Sequence, residues 1–137
     1  ELPPALINNG PLWWCVQLAD EAAVRNLQPA QVDIAALNLA TQSVGLAVFA
    51  KADAGEYQLV VRAFCPADNI PEDPVTGSLN ASVAQWLVGR GRFTPPYMAT
   101  QGIALGRSGR IHISADAAGQ IWVGGDSVEC VSGFVQL

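Results

Sequence analysis

The stretch Gly77-Ser78-Leu79-Asn80-Ala81-Ser82-Val83-Ala84-Gln85-Trp86-Leu87-Val88 constrains this chain more than any other. It has the length and residue content of a helix, it stops at Gly89, and it presents small or apolar side chains on nearly every side. A helix with so little polar surface has to be enclosed. The remaining chain supplies short β-branched or alternating runs, so the enclosing layer is sheet. The expected fold class is α+β: a curled mixed or antiparallel sheet wrapped around one central buried helix.

The flanking segments fill in that outline. Residues 12–18 read as a buried strand, after which Asp20 caps a short helix through Leu27 with Glu21 in its first turn. Pro29 suits the first position of a second helix that would turn Val32, Ala36 and Leu37 inward. Residues 43–50 return as a strand and 53–55 turn the chain. Residues 56–64 then alternate, placing Tyr57, Leu59, Val61 and Ala63 on one face. The run 67–74 is rich in turn formers and reads as a loop. Short β runs follow at 103–105, 110–115, 121–123 and 128–135, separated by turns at 107–109 and 116–119.

Composition narrows the function. At 137 residues, half of them apolar, the chain fits a single domain over 1–137 with a real core. A net charge of -5 leaves no basic face for nucleic acid. Apolar stretches such as 43–50 fall far short of the roughly 20 residues of a membrane helix, and no basic-then-apolar leader opens the chain, so a soluble protein is expected. Cys15, Cys65 and Cys130 are scattered, which suits buried free thiols in a reducing, cytoplasmic compartment rather than a metal site. Lys51, the only lysine, sits beside a turn, where a Schiff base is unexpected, so no cofactor is expected. His112 lies in an alternating run opposite its isoleucine neighbours and reads as an ordinary strand residue. The chain opens Glu1-Leu2-Pro3-Pro4 without methionine, so a preceding segment is expected.

Chemical promise concentrates in Glu72-Asp73-Pro74-Val75-Thr76-Gly77-Ser78, at the entrance of the apolar helix. Free amides of a first helical turn stabilise an anion without any lysine. Gly77 would let a ligand approach the backbone, Thr76 or Ser78 could cap the helix and offer a hydroxyl, and Asp73 could turn its carboxylate across the opening. The plainer alternative makes Asp73 and Thr76 caps and Glu72 a solvated loop charge.

Together with Arg62-Ala63-Phe64-Cys65-Pro66, Gln101-Gly102, Arg107-Ser108-Gly109 and Trp122-Val123-Gly124-Gly125, that segment resembles the C-terminal half of PhzF-like, phenazine-biosynthesis isomerases. The resemblance implies one half of a diaminopimelate epimerase-like fold, two curled-sheet domains whose helix tips face each other across a cleft. It implies Asp73 as the catalytic residue, positioning substrate or moving a proton, and Thr76, Gly77 and Ser78 as the residues binding the substrate carboxylate. Two-thiol racemase chemistry is disfavoured, because Asp73 stands where a cysteine would and Cys65 is eight residues upstream. The general acid/base glutamate and a cleft histidine would belong to the N-terminal half, which this chain lacks. The expected function is therefore the C-terminal domain of a cofactor-independent isomerase acting on a small carboxylated molecule, inactive as an isolated segment and a homo-oligomer. The alternative is a small-anion-binding or dimerisation module without catalysis.

Overall fold

The computed structural model describes residues 2–53 and 55–136. Strands β1 (Ala5–Asn8), β2 (Leu12–Gln17), β3 (Gly45–Lys51), β4 (Leu59–Cys65), β5 (Ile70–Asp73), β6 (Tyr97–Gln101), β7 (Gly109–Ala115) and β8 (Ile121–Gly124) form one sheet in the order β1-β2-β3-β4-β6-β7-β8, with β5 also on β4. The pairs β2/β3 and β4/β6 are parallel and the others antiparallel, so the sheet is mixed.

Helix α3 (Gly77–Gly89) touches β1 and β2 near one end of this sheet and β7 and β8 at the other, so the sheet curls around it. Leu79, Val83, Ala84, Trp86 and Leu87 are buried against Trp13, Phe49, Leu59, Val61, Ile111 and Ile113. Trp86 meets Phe49 edge to face at 5.8 Å, and each fully buried large side chain of this set contributes about 1.5–3 kcal/mol. The enclosure is incomplete: Gln85 is exposed and Ala81 and Val88 are half-buried on the side facing away from the core.

The second face of β3 and β4 is covered by α1 (Glu21–Asn26) and α2 (Gln31–Thr41), where Val24 and Ile34 pack on Val48, Ala50, Val60 and Phe64. With both faces covered, β4 is buried at every residue. Asp20 caps α1 as expected, accepting from the Ala23 amide at 2.7 Å. In α2 the inward residues are Ile34 and Asn38; Val32 and Ala36 are exposed and Leu37 only half-buried. Apolarity misleads there because buried Asn38 finds local partners, its Nδ2 donating to Ser43 Oγ at 2.9 Å and its backbone carbonyl accepting the Ser43 amide, although its Oδ1 has no partner among the described residues.

Other segments also depart from expectation. The stretch 67–74 is not all loop: a 3₁₀ turn over Pro66–Asp68 leads into β5, which finds its partner on the free half-edge of β4. Residues 103–105 form a 3₁₀ turn rather than a strand, closed by left-handed Gly102 and Gly106. Residues 128–135 form no strand; they carry no regular element, and Val128, Val131, Phe134 and Val135 are exposed. Cys130 in that segment is exposed, whereas Cys15 and Cys65 are buried free thiols. Tyr57 lies outside the core, against Arg25 and Arg110, although Leu59, Val61 and Ala63 share the inner face as expected. His112 points outward between buried Ile111 and Ile113. Among the described residues, no helix is long and apolar enough to cross a membrane.

Candidate functional site

The site is built by a divided strand edge. Strand β3 covers one edge of β4 along its length, and the other edge is shared: β6 runs parallel to its first half and β5 antiparallel to its second. The two therefore end against each other, with Gln101 opposite Val61 and Asp73 opposite Ala63. From Asp73 the chain passes through Pro74 and Val75 directly into α3. Pro74 has no amide hydrogen to satisfy and keeps Asp73 in the extended backbone that β5 requires.

Gln101, 1% exposed, ties this junction together. Its Nε2 donates to the Asp73 carbonyl at 2.9 Å and to Thr76 Oγ1 at 2.9 Å. Its Oε1 accepts from the Thr76 amide at 3.1 Å and from Asn80 Nδ2 at 2.8 Å. The Thr76 hydroxyl donates to Asp73 Oδ2. Thr76 is the N-cap residue of α3, yet its hydroxyl makes no capping bond because it is committed to Asp73. With its amide also taken, Thr76 has no free donor for a substrate; it holds Asp73 instead.

The next two residues are different. The first bond inside α3 runs from the Asn80 amide to the Thr76 carbonyl, so the Gly77, Ser78 and Leu79 amides have no acceptor within the helix. Gly77 is exposed, and a Cβ built on it would meet nothing within 4 Å, so the tip is open. Ser78 Oγ accepts the indole N–H of Trp13 at 3.1 Å, and its carbonyl accepts Asn9 Nδ2 at 2.7 Å. Because an indole only donates, the Ser78 hydroxyl keeps its own proton to offer outward.

Glu72 is not a solvated loop charge. It forms a two-pronged pair with Arg62 at 2.9 and 2.8 Å, both side chains 9% exposed. Arg62 also donates to the Val24 and Leu27 carbonyls at the end of α1 and lies over the Phe64 ring, so the pair anchors β5 to α1. Cys65 sits near Asp73, and burial, reinforced by the charges of Asp73 and Asp68, pushes its thiol up to about 12. A neutral thiol of this kind is no proton-transfer base.

Two hollows flank the junction. A small one of about 80 Å³ lies by Arg25, Arg62, Thr100 and Ile103, where both arginines are already paired and no reactive group faces in. A broader one of about 360 Å³ opens beside Val75, with Ser108, Gly109, Arg110, Gly125 and Asp126 around it. Neither is lined by Asp73, which is half-buried, or by Gly77, which is exposed. Among the described residues no group of three or more His, Cys, Asp or Glu is placed to hold a metal.

The family model of the phenazine biosynthesis-like proteins, PhzC-PhzF, matches residues 1–133. The chain belongs to this family. As a PhzC-PhzF chain it is 30% identical to antisense-enhancing sequence 1 of Schizosaccharomyces pombe, over 96% of its own length and 46% of that protein. It is 33% identical to a Deinococcus radiodurans protein described as an uncharacterized isomerase, over 86% of its length and 39% of that one. The solved PhzF-family protein of Enterococcus faecalis superposes with a TM-score of 0.65 at 30% identity, covering 84% of this chain and 40% of that one. A Pseudomonas aeruginosa protein described as a predicted epimerase has the same fold, with a TM-score of 0.67 at 22% identity over 90% of this chain and 42% of that one. The chain thus spans less than half the length of these four proteins.

The residues that bind the junction together were only partly visible beforehand. Asn9 carries no spacing signal, since its partner Ser78 lies across the fold, and Asn80 reaches the Thr76 carbonyl one turn back but meets Gln101 only through the fold. Gln101-Gly102 was visible as a motif, and the structure supplies its physical reason. Gly102 has φ +92, and a Cβ there would lie 2.5 Å from the Pro74 carbonyl oxygen, so this turn packs directly on the strand-to-helix junction.

Proposed function

We propose that this chain forms the C-terminal half of a cofactor-independent isomerase that moves a proton on a small carboxylated substrate. The observation that carries the proposal is the open tip of α3 beside a held carboxylate: amides of Gly77 and Ser78 without helical acceptors, and Asp73 braced by Thr76 a few residues away. In this reading the substrate carboxylate rests on the Gly77 and Ser78 amides and the Ser78 hydroxyl, favoured by the positive end of the helix dipole. Asp73 orients the substrate or exchanges a proton with it.

A carboxylate acting on a carbon acid needs a closed cleft that excludes water. This wall is open, so a second domain bearing the complementary acid/base group completes the site, and the isolated chain does not turn over. The isomerase description of a relative agrees with the proposed reaction class. Thiol chemistry is disfavoured by the neutral, buried Cys65.

The test is solvent hydrogen exchange. The two-domain protein, incubated in heavy water with a panel of small carboxylic acids, incorporates deuterium into its substrate; the Asp73→Ala variant does not, although it remains folded. Unchanged incorporation by folded Asp73→Ala refutes the role of Asp73. A second reading, self-association without catalysis, draws on the exposed Val128, Val131, Phe134 and Val135. Sedimentation of the chain as a strict monomer at high concentration would dispose of it.

A further inference from the structure

The geometry points to Gln101 as a positioning residue: it fixes the direction of the Thr76 hydroxyl, which holds Asp73 by Oδ2 and leaves Oδ1 as the only oxygen that exchanges a proton with the substrate. The inference rests on the proposed role of Asp73 and goes further, to the atom and to what orients it.

The orientation of the Gln101 amide is dictated by backbone groups that cannot change character. The Thr76 N–H only donates, so the atom 3.1 Å away must be the oxygen. The Asp73 carbonyl only accepts, so the atom 2.9 Å away must be the nitrogen. A flipped amide would set donor against donor and acceptor against acceptor. The second Nε2 hydrogen then points at Thr76 Oγ1 at 2.9 Å, which must receive it. With that lone pair occupied, the Thr76 hydroxyl sends its own proton to the neighbour that remains, Asp73 Oδ2. Asn80 completes the arrangement by filling the second lone pair of Gln101 Oε1 at 2.8 Å while also donating to the Thr76 carbonyl at 2.8 Å, so the glutamine has no alternative partner to turn toward.

An Asp73 oxygen that already accepts the threonine proton is a poor place for a second one. Asp73 Oδ1 has no partner among the described residues and is not sealed from solvent. The carboxylate is thereby given one bound oxygen and one working oxygen, and a single side-chain rotamer.

Nuclear magnetic resonance of the chain tests this through the χ1 couplings of Asp73. The unmutated chain and Thr76→Ser, which keeps the hydroxyl, hold Asp73 in one rotamer. Thr76→Val, which keeps the volume and loses the donor, averages it over at least two. Gln101→Glu, which has no N–H and offers the threonine proton a competing acceptor, averages it as well, while the backbone amide shifts of α3 beyond its first turn stay in place. An Asp73 that remains in one rotamer in either Thr76→Val or Gln101→Glu overturns the inference, as does averaging in the unmutated chain. Should Gln101→Glu fail to fold, the comparison of Thr76→Ser with Thr76→Val still decides whether the hydroxyl holds Asp73, and Gln101→Met supplies the loss of the glutamine donor. The readout involves no substrate, so it stands or falls separately from the deuterium-exchange test of the proposed function.

Discussion

Arg62→Met is the most informative single perturbation of the scaffold that carries the site. It removes both bonds to Glu72 and both to the α1 carbonyls, while methionine's flexible, unbranched chain refills most of the space left by the guanidinium stem. What remains is a carboxylate 9% exposed with no counter-charge. Removing one partner of a buried pair costs about 3–5 kcal/mol, and each lost carbonyl bond about 1 kcal/mol, with the terms overlapping because they share one side chain. The expected loss is about 4 kcal/mol, a large part of the roughly 5–15 kcal/mol that holds a domain folded. For a chain of this length that lowers the melting temperature by about 10–15 °C. Urea unfolding, followed through the fluorescence of buried Trp13 and Trp86, measures it. The double variant Arg62→Met with Glu72→Met removes the stranded charge and should recover at least half of the loss. A single-variant cost below about 1 kcal/mol, or a double variant no better than the single, would refute the view that this pair is a buried, mutually dependent anchor.

Gly102→Ala places a side chain at φ +92 and 2.5 Å from the Pro74 oxygen, so it should destabilise by about 1–3 kcal/mol in urea titration, whereas Gly77→Ala, with open space around its Cβ, should not. Iodoacetamide should label exposed Cys130 quickly in the folded chain and spare Cys15 and Cys65, whose thiols burial pushes up to about 12; mass spectrometry of the intact chain reads one adduct, and three only after unfolding. Glu21 titrates below its usual range, first because it accepts the Asp53 amide and then because of Arg25. The folded state therefore binds the Glu21 proton less readily than the unfolded one, and the resulting stability is present above the usual carboxylate range and lost as pH falls through the folded value. Glu21→Gln should accordingly flatten the acid limb of a stability-versus-pH curve.

The central helix and its sheet were legible because an all-round apolar helix has only one class of solution, enclosure. The Asp20 cap, the outward His112 and the turn at 116–119, where Asp116 accepts the Ala118 and Gln120 amides, were local patterns and survive in the structure. Strands β1 and β6 went unmarked since Ala5–Asn8 and Tyr97–Gln101 are short and become strands through their neighbours. Strand β5 failed as a sequence expectation for the same reason: turn-forming residues over Ile70–Asp73 are recruited by the vacant half-edge of β4. Conversely, 128–135 alternates well enough for a strand, yet it pairs with none of the described strands although β1 and β8 each keep a free edge. At the site, Asp73, Gly77 and Ser78 stand where the motif put them, but the part played by Thr76 depends on Gln101, 25 residues away, and no local pattern encodes that contact.

The central claim is that the tip of α3 receives a carboxylate on the Gly77 and Ser78 amides. Titration of the isotopically labelled chain with benzoate, observed amide by amide, tests it directly. The account predicts saturable shifts centred on Gly77 and Ser78 that disappear in Gly77→Val, whose branched side chain stands before those amides. Amides of Gly77 and Ser78 that stay unmoved while the rest of the spectrum remains that of the folded chain, or shifts that survive Gly77→Val, would contradict it.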